Sequence, residues 1–262
     1  MKRRFLLLFC LLSGQAIHAV HLDPVLPRFY EITPSFEQSF TYSNTRNIHW
    51  SSFQTLGGEV SVCWPISYTC PCKVYDVQAE IQVAETAVQH IRIDHFNITA
   101  LKQWNDHFLF GATLQQTLRK ALQDPSSFHH GLLEGQFHIA YGKDMCISPC
   151  YVTRGYITGT LGVADVGVPW LESSLHWYMQ AQFTFDCYVK AIVGLGSKSF
   201  HPHHFHGYGS VKHRSIDIGA SYIYQIEDGR RWDLELSSRI LAVNTAKFPI
   251  RFCLTYIFPF GI

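Results

Sequence analysis

Past its first nineteen residues the sequence holds no apolar run of the roughly 20 residues that a helix needs to cross a bilayer. An α-helical membrane protein is excluded. Charge is scarce too, at 16% of residues against about 25% in ordinary soluble domains. Three of the 21 basic residues, Lys2, Arg3 and Arg4, stand at the N-terminus, which leaves 18 against 20 acidic ones. Without a basic surplus to neutralise phosphates, nucleic acid is not an expected partner. No GxSxG elbow, phosphate-binding glycine loop or HExxH is present. There is no internal repeat, low-complexity linker or domain boundary. A chain so poor in charge, yet 15% aromatic, has to spread its hydrophobic surface over alternating strands.

The N-terminus reads as an export leader. Met1-Lys2-Arg3-Arg4 is a basic start, Phe5 to Leu12 an uncharged apolar run, and the small residues up to Ala19 suit signal-peptidase cleavage. The expected organisation is a signal peptide over 1–19 and one domain over 20–262. Seven of the eight cysteines follow the leader: Cys63, Cys70, Cys72, Cys146, Cys150, Cys187 and Cys253. Export meets oxidising conditions, so disulfides are expected, with at least one thiol left over from an odd count. Cys146 with Cys150 is the favoured local pair.

Period-2 alternation is strongest from Leu175 to Leu195, where odd positions are mostly apolar and His176, Tyr178, Gln180, Gln182, Thr184 and Asp186 fall on even ones. The run exceeds the 9 to 11 residues of a transmembrane strand, and it is read as one strand projecting beyond the bilayer. Further strands are expected near 36–42, 47–56, 60–68, 75–83, 88–99, 104–114, 137–141, 151–161, 216–226, 232–242 and 250–258, about twelve in all. Asp228-Gly229 marks a tight turn. Leu114, Leu118, Ala121 and Leu122 have helical spacing, so a short helical or irregular insert is expected near 114–130.

Alternation alone does not tell a soluble sheet from a membrane barrel. Aromatics near strand ends (Tyr68, Trp177, Tyr222, Trp232, Phe258) and repeated Gln, Thr, Asp and Lys on the polar faces favour the barrel. The final Leu254-Thr255-Tyr256-Ile257-Phe258 resembles the C-terminal targeting strand of Gram-negative outer-membrane β-barrel proteins, although Pro259-Phe260-Gly261-Ile262 follows it. The cysteine usage resembles that of envelope proteins of obligate intracellular bacteria. The resemblance implies an all-β, antiparallel transmembrane β-barrel in the bacterial outer membrane. Its implied partners are outer-membrane lipid, the barrel-assembly machinery and disulfide-linked envelope proteins. It implies a non-enzymatic small pore or a structural, surface-exposed envelope protein. The alternatives are a lipid-modifying outer-membrane enzyme and a soluble periplasmic binding module. With the last strand ending in the periplasm, segments 68–73, 142–150 and 197–212 are expected outside. The 115–131 insert falls on the periplasmic side, where it is long for a turn.

One local sequence suggests chemistry. His201, His203, His204 and His206 stand within six residues, a cluster able to hold Zn²⁺ or Cu²⁺; no other cofactor is expected. Serine–histidine candidates for lipid hydrolysis are His129 and His130 with Ser126 and Ser127, and His213 with Ser215, none of them in a recognisable motif. The last strand yields a direct expectation. Tyr256→Ser combined with Phe258→Ser should block membrane insertion while leaving leader cleavage intact, scored by heat-modifiable mobility and membrane fractionation. Normal accumulation of an embedded species would refute the targeting role of that strand.

Overall fold

Successive side chains of a strand point to opposite faces, so alternating segments can bury one face and present the other. The computed structural model describes residues 31–42, 58–71, 76–86, 92–105, 107–123, 128–148, 150–181, 183–200, 205–226, 230–245 and 247–259. They form β1 (Glu31–Tyr42), β2 (Gly58–Pro71), β3 (Asp76–Thr86), β4 (Arg92–Gln103), β5 (Phe108–Thr117), β6 (Leu133–Ile147), β7 (Val152–Ala164), β8 (Pro169–Gln180), β9 (Thr184–Leu195), β10 (Lys212–Gln225), β11 (Arg231–Val243) and β12 (Lys247–Pro259). Each strand runs antiparallel to its chain neighbours, and β12 also pairs with β1, Ile32 facing Phe258 and Phe36 facing Leu254. The sheet is a closed ring with no edge strand. Strands of 10 to 15 residues match or exceed the length that spans a bilayer at a tilt.

The twelve strands differ from those expected, and two corrections follow. Residues 175–195 are not one projecting strand but the halves of a hairpin, β8 and β9, joined at 181–183. Gln180 pairs with Thr184, so odd residues face the same side on both strands and the alternation runs through the turn without a slip. Ala181-Gln182-Phe183 also lacks the Gly, Asn or Asp that mark tight turns. The expected strand at 47–56 lies outside the described residues. The second correction is the insert. Residues 114–117 continue β5, where Ile98 pairs with Leu114 and His95 with Thr117, and the helix is a single turn, α1 (Arg119–Leu122). The helical spacing from Leu114 was coincidental: Leu114 is exposed on the outer face, while Ala121 and Leu122 are buried.

The hidden turn also inverts the sidedness expected upstream of it. Connections 72–75, 104–107, 148–151, 181–183 and 226–230 share one end of the barrel, each three to five residues long. The long connections 43–57, 118–132 and 196–211 share the other. Residues 115–131 and 197–212 therefore belong to the same end, opposite Cys146 and Cys150. Those two cysteines are exposed free thiols. Cys146 sits in β6 opposite Thr153 while Cys150 lies in the turn, so the expected local bridge is not formed.

Outside and inside are reversed relative to a soluble sheet. The outer face carries Phe137, Ile139, Ile157, Leu161, Leu171, Leu175, Val189, Val193, Leu234 and Leu236, all exposed, far beyond the patch a soluble monomer leaves open. Trp104, Tyr141, Trp177, Phe183, Tyr222, Tyr224 and Trp232 are exposed near the short-turn end, as an interfacial girdle requires. The buried face carries Thr, Ser, His, Glu, Arg and Lys. A soluble module would need the opposite arrangement. The belt generates a graded prediction for folding into lipid vesicles. Leu175→Arg, at the middle of β8, should cost roughly 2–4 kcal/mol, and Phe183→Arg, in the rim turn, about 0–1. Equal, small costs in equilibrium denaturation would argue against a lipid-facing belt.

Candidate functional site: a polar lumen with one plugged mouth

Inward-facing polar side chains cannot stay unpaired in a narrow interior without a desolvation cost, and here they bond from strand to strand. Thr99 Oγ1 lies 2.7 Å from Thr113 Oγ1, which lies 2.8 Å from His138 Nε2; His138 Nδ1 reaches Thr160 Oγ1 at 2.9 Å. That chain crosses β4 to β7. A second crosses β7 to β9. In it Ser174 Oγ lies 2.9 Å from His176 Nε2, and His176 Nδ1 2.9 Å from Asp186 Oδ2, to which the Tyr156 hydroxyl also donates at 3.0 Å. Arg239 donates twice to Asp217, at 2.7 and 2.9 Å, and Arg251 to Glu235 at 2.7 Å. Tyr188 of β9 reaches past β10 to donate to Glu235 of β11 at 2.6 Å. Gly219 makes this possible, since a Cβ there would stand 2.4 Å from the tyrosine ring.

At the long-loop end, the described parts of two connections pack over this lumen. Phe128 from connection 118–132 packs with Phe205, Tyr208 and Val211 from connection 196–211 and with Ile192 of β9, all buried. Phe128 and Tyr208 ring centroids are 4.5 Å apart. Backbone bonds join the two connections: Tyr208 N–H donates to His129 O at 2.7 Å and Gly209 N–H to His130 O at 2.9 Å. The wall grips them as well. Leu118 N–H donates to Asp94 O at 3.0 Å, the Arg239 guanidinium sits 5.4 Å from the Phe128 ring centroid, and His130 stacks on Trp170 at 4.5 Å. Trp170 lies flat over Gly162, where a Cβ would meet the indole at 2.2 Å. The described parts of both connections thus form a plug seated in the mouth.

Where the plug meets the wall, Asp94, His95 and His129 come together. The pairing of β3 with β4 shifts between Gln82 and Val83, so that Gln82 faces His95 and Val83 faces Ile93. Such a bulge re-aims side chains, and Asp94 and His95, although consecutive, are both buried inside. Asp94 Oδ2 is 3.2 Å from His95 Nδ1 and 2.5 Å from His129 Nε2. His95 Nε2 lies 3.3 Å from Glu80 Oε1, and His129 Nδ1 lies 3.2 Å from the Gln115 side-chain amide. The three donor atoms lie within 4.8 Å of one another.

Among the described residues, these are the metal-capable donors that the structure brings together; the histidine-rich segment is left untested by it. His201, His203 and His204 lie outside the described residues, and His206 is exposed. His129 was legible only as a hydrolase candidate, and Ser126 and Ser127 lie outside the described residues. His213 Nδ1 is 3.0 Å from the Val211 carbonyl oxygen, and the buried Ser215 hydroxyl has no hydrogen-bond partner among the described residues; the two do not form a nucleophile–base pair. The Ser174–His176–Asp186 chain has the order of parts of a hydrolytic triad. Yet Ser174 is also 2.5 Å from Thr158 Oγ1, and it lies in mid-ladder between Thr158 and Lys190. There the backbone N–H groups serve strand pairing rather than an oxyanion. Asp94-His95 did carry a sequence signal: two polar neighbours break the alternation of β4.

No protein-family model matches the sequence, and no curated protein matches it. Solved structures do match the fold. An outer membrane channel from Pseudomonas putida F1 superposes with a TM-score of 0.56 at 10% identity, covering 94% of this chain and all of that one. The β domain of the Bordetella autotransporter BrkA (TM-score 0.50, 9% identity) and the NanC porin (0.50, 5%) each cover 89% of this chain and all of theirs. At these identities the likeness is one of fold.

The lumen yields a test. Arg239→Met strands the Asp217 carboxylate among buried neighbours and should destabilise the barrel by about 3–5 kcal/mol. Adding Asp217→Asn should recover most of that loss. Denaturation monitored by tryptophan fluorescence checks it, and a single variant as stable as the parent would show the pair to be water-screened.

Proposed function

We propose that the chain is a Gram-negative outer-membrane barrel acting as a narrow channel held closed by its plug, with the long-loop end facing outward. The observation that carries this reading is the polar, ion-paired lumen inside an apolar belt, closed at one mouth by two packed connections. Bacterial barrels of this kind have short periplasmic turns and longer outer loops, which fits the segregation of connections between the two ends. Twelve strands enclose a lumen that side chains fill or leave narrowly open, and here side chains bonded between neighbouring strands line it. The fold likeness to an outer membrane channel and a porin supports the same reading. In it, the leader over 1–19 directs export and the barrel-assembly machinery inserts the mature chain. Solute passage then requires the plug to move.

Planar-bilayer recordings test this. The parent should show rare, small openings. Phe128→Ala with Tyr208→Ala, which empties the centre of the plug, should raise open probability severalfold, provided the variant remains heat-modifiable. Electrically silent membranes for both would favour a structural or surface role for the barrel.

A further inference from the structure

We propose that Asp94, His95 and His129 form a divalent metal site of the zinc class that fastens the plug to the barrel wall. Two imidazoles and one carboxylate converge, the donor set that such ions favour in sites keeping a further position for water or another ligand. Two wall residues come from one bulge, and the third comes from the plug connection, so a shared ion would join the two. The surroundings match those of metal-ligating histidines, whose distal nitrogen is ordinarily held by a carboxylate, carbonyl or water. Glu80 stands behind His95 Nε2, and the Gln115 amide, whose oxygen and nitrogen can exchange places, stands behind His129 Nδ1. His95 adds a chemical argument. Both of its ring nitrogens face carboxylate oxygens, Asp94 on one side and Glu80 on the other. An imidazolium would offer an N–H to each of them, and a cation bound at Nδ1 would take the place of one such proton and lie between His95 and Asp94.

Metal binding stands by itself, whereas the fastening of a gate rests on the channel reading above. The full mature chain, refolded in detergent and freed of metal with chelator, would be titrated with ZnCl₂ by calorimetry. A control variant with His201, His203, His204 and His206 all changed to Asn removes the competing exposed cluster. The expected result is one equivalent bound by that control. Binding should be abolished by Asp94→Asn or His129→Asn, and weakened roughly 10–100-fold by Gln115→Leu, which alters only the outer shell. Each variant is accepted only if heat-modifiable. Binding that disappears with the four-histidine control and survives Asp94→Asn overturns the site. Bilayer recordings then separate the two claims. Zn²⁺ should reduce openings of the control and leave those of His129→Asn unchanged. If the control binds one equivalent yet no variant conducts, the site stands and the channel reading falls. If the control conducts alike with Zn²⁺ and with chelator, the ion does not fasten the plug.

Discussion

The pairing of β12 with β1 is the constraint on which the rest of the molecule depends. A strand in hydrocarbon has no water to satisfy its N–H and C=O groups, so an open sheet edge is excluded there at several kcal/mol per group. Closure removes both edges at once. It also fixes what is inside. Once each strand has two neighbours, alternation leaves one face outward, apolar here, and one toward a space that twelve strands make too narrow to ignore. The outer face can be assembled from nearly interchangeable apolar residues. The inner face cannot, because each polar group there needs a partner of the right kind and reach.

This explains the uneven detail of the two surfaces. On the outside Leu, Ile, Val and aromatics recur with little specificity. On the inside the partners are particular: Thr99 with Thr113, His138 with Thr160, Arg239 with Asp217, Tyr188 with Glu235. Tyr188 passes over a glycine to bond a strand two places away, which ties side chains directly across the curvature of the wall. The plug continues the same logic. Its aromatic centre is apolar, but its perimeter meets the wall through Arg239, His129, His130 and backbone carbonyls, although His130 Nε2, Trp170 Nε1, His213 Nε2 and Ser215 Oγ have no hydrogen-bond partner among the described residues.

The sequence announces the alternating strands clearly because the demand for an apolar outer face is repetitive. Apart from Asp228-Gly229 it marks the short turns poorly, because a short turn at a barrel rim needs no special chemistry when the strands themselves fix the register. The 181–183 turn shows the consequence. An odd-length connection preserves the parity of the apolar face, so β8 and β9 read as one strand, and every connection before them changes ends. The misfit of a long insert on the periplasmic side was the visible trace of that slip. The site was less legible still. Asp94-His95 showed only as a break in alternation, His129 had no partner in sequence, and Glu80 and Gln115 became relevant only once β3, β4 and β5 lay side by side.

Interruptions of the alternation turn out to be as informative as the alternation. Among the described residues, pairing shifts occur at three places: between Gln82 and Val83 opposite β4, between Asp144 and Cys146, and between Ile216 and Asp217 opposite β11. At each an extra residue is accommodated: Asp94, Met145 and Ile240. The β4 bulge turns two neighbours inward, whereas the other two leave consecutive residues exposed, Met145 with Cys146 and Ile240 with Leu241. Beside each lies an interior charged contact: Asp94 with His129, Arg154 with Asp144 at 2.7 Å, and Arg239 with Asp217. A bulge adds local twist and resets which side chains face in. In a closed ring that reset cannot be absorbed by an edge, so it has to be compensated where it occurs. A charged contact placed at the irregularity supplies directional bonds where the regular ladder is interrupted, and holds the altered register in place. By that logic a slip in period 2 within a strand of such a chain, with a carboxylate, arginine or histidine beside it, marks where the lumen's specific chemistry is concentrated.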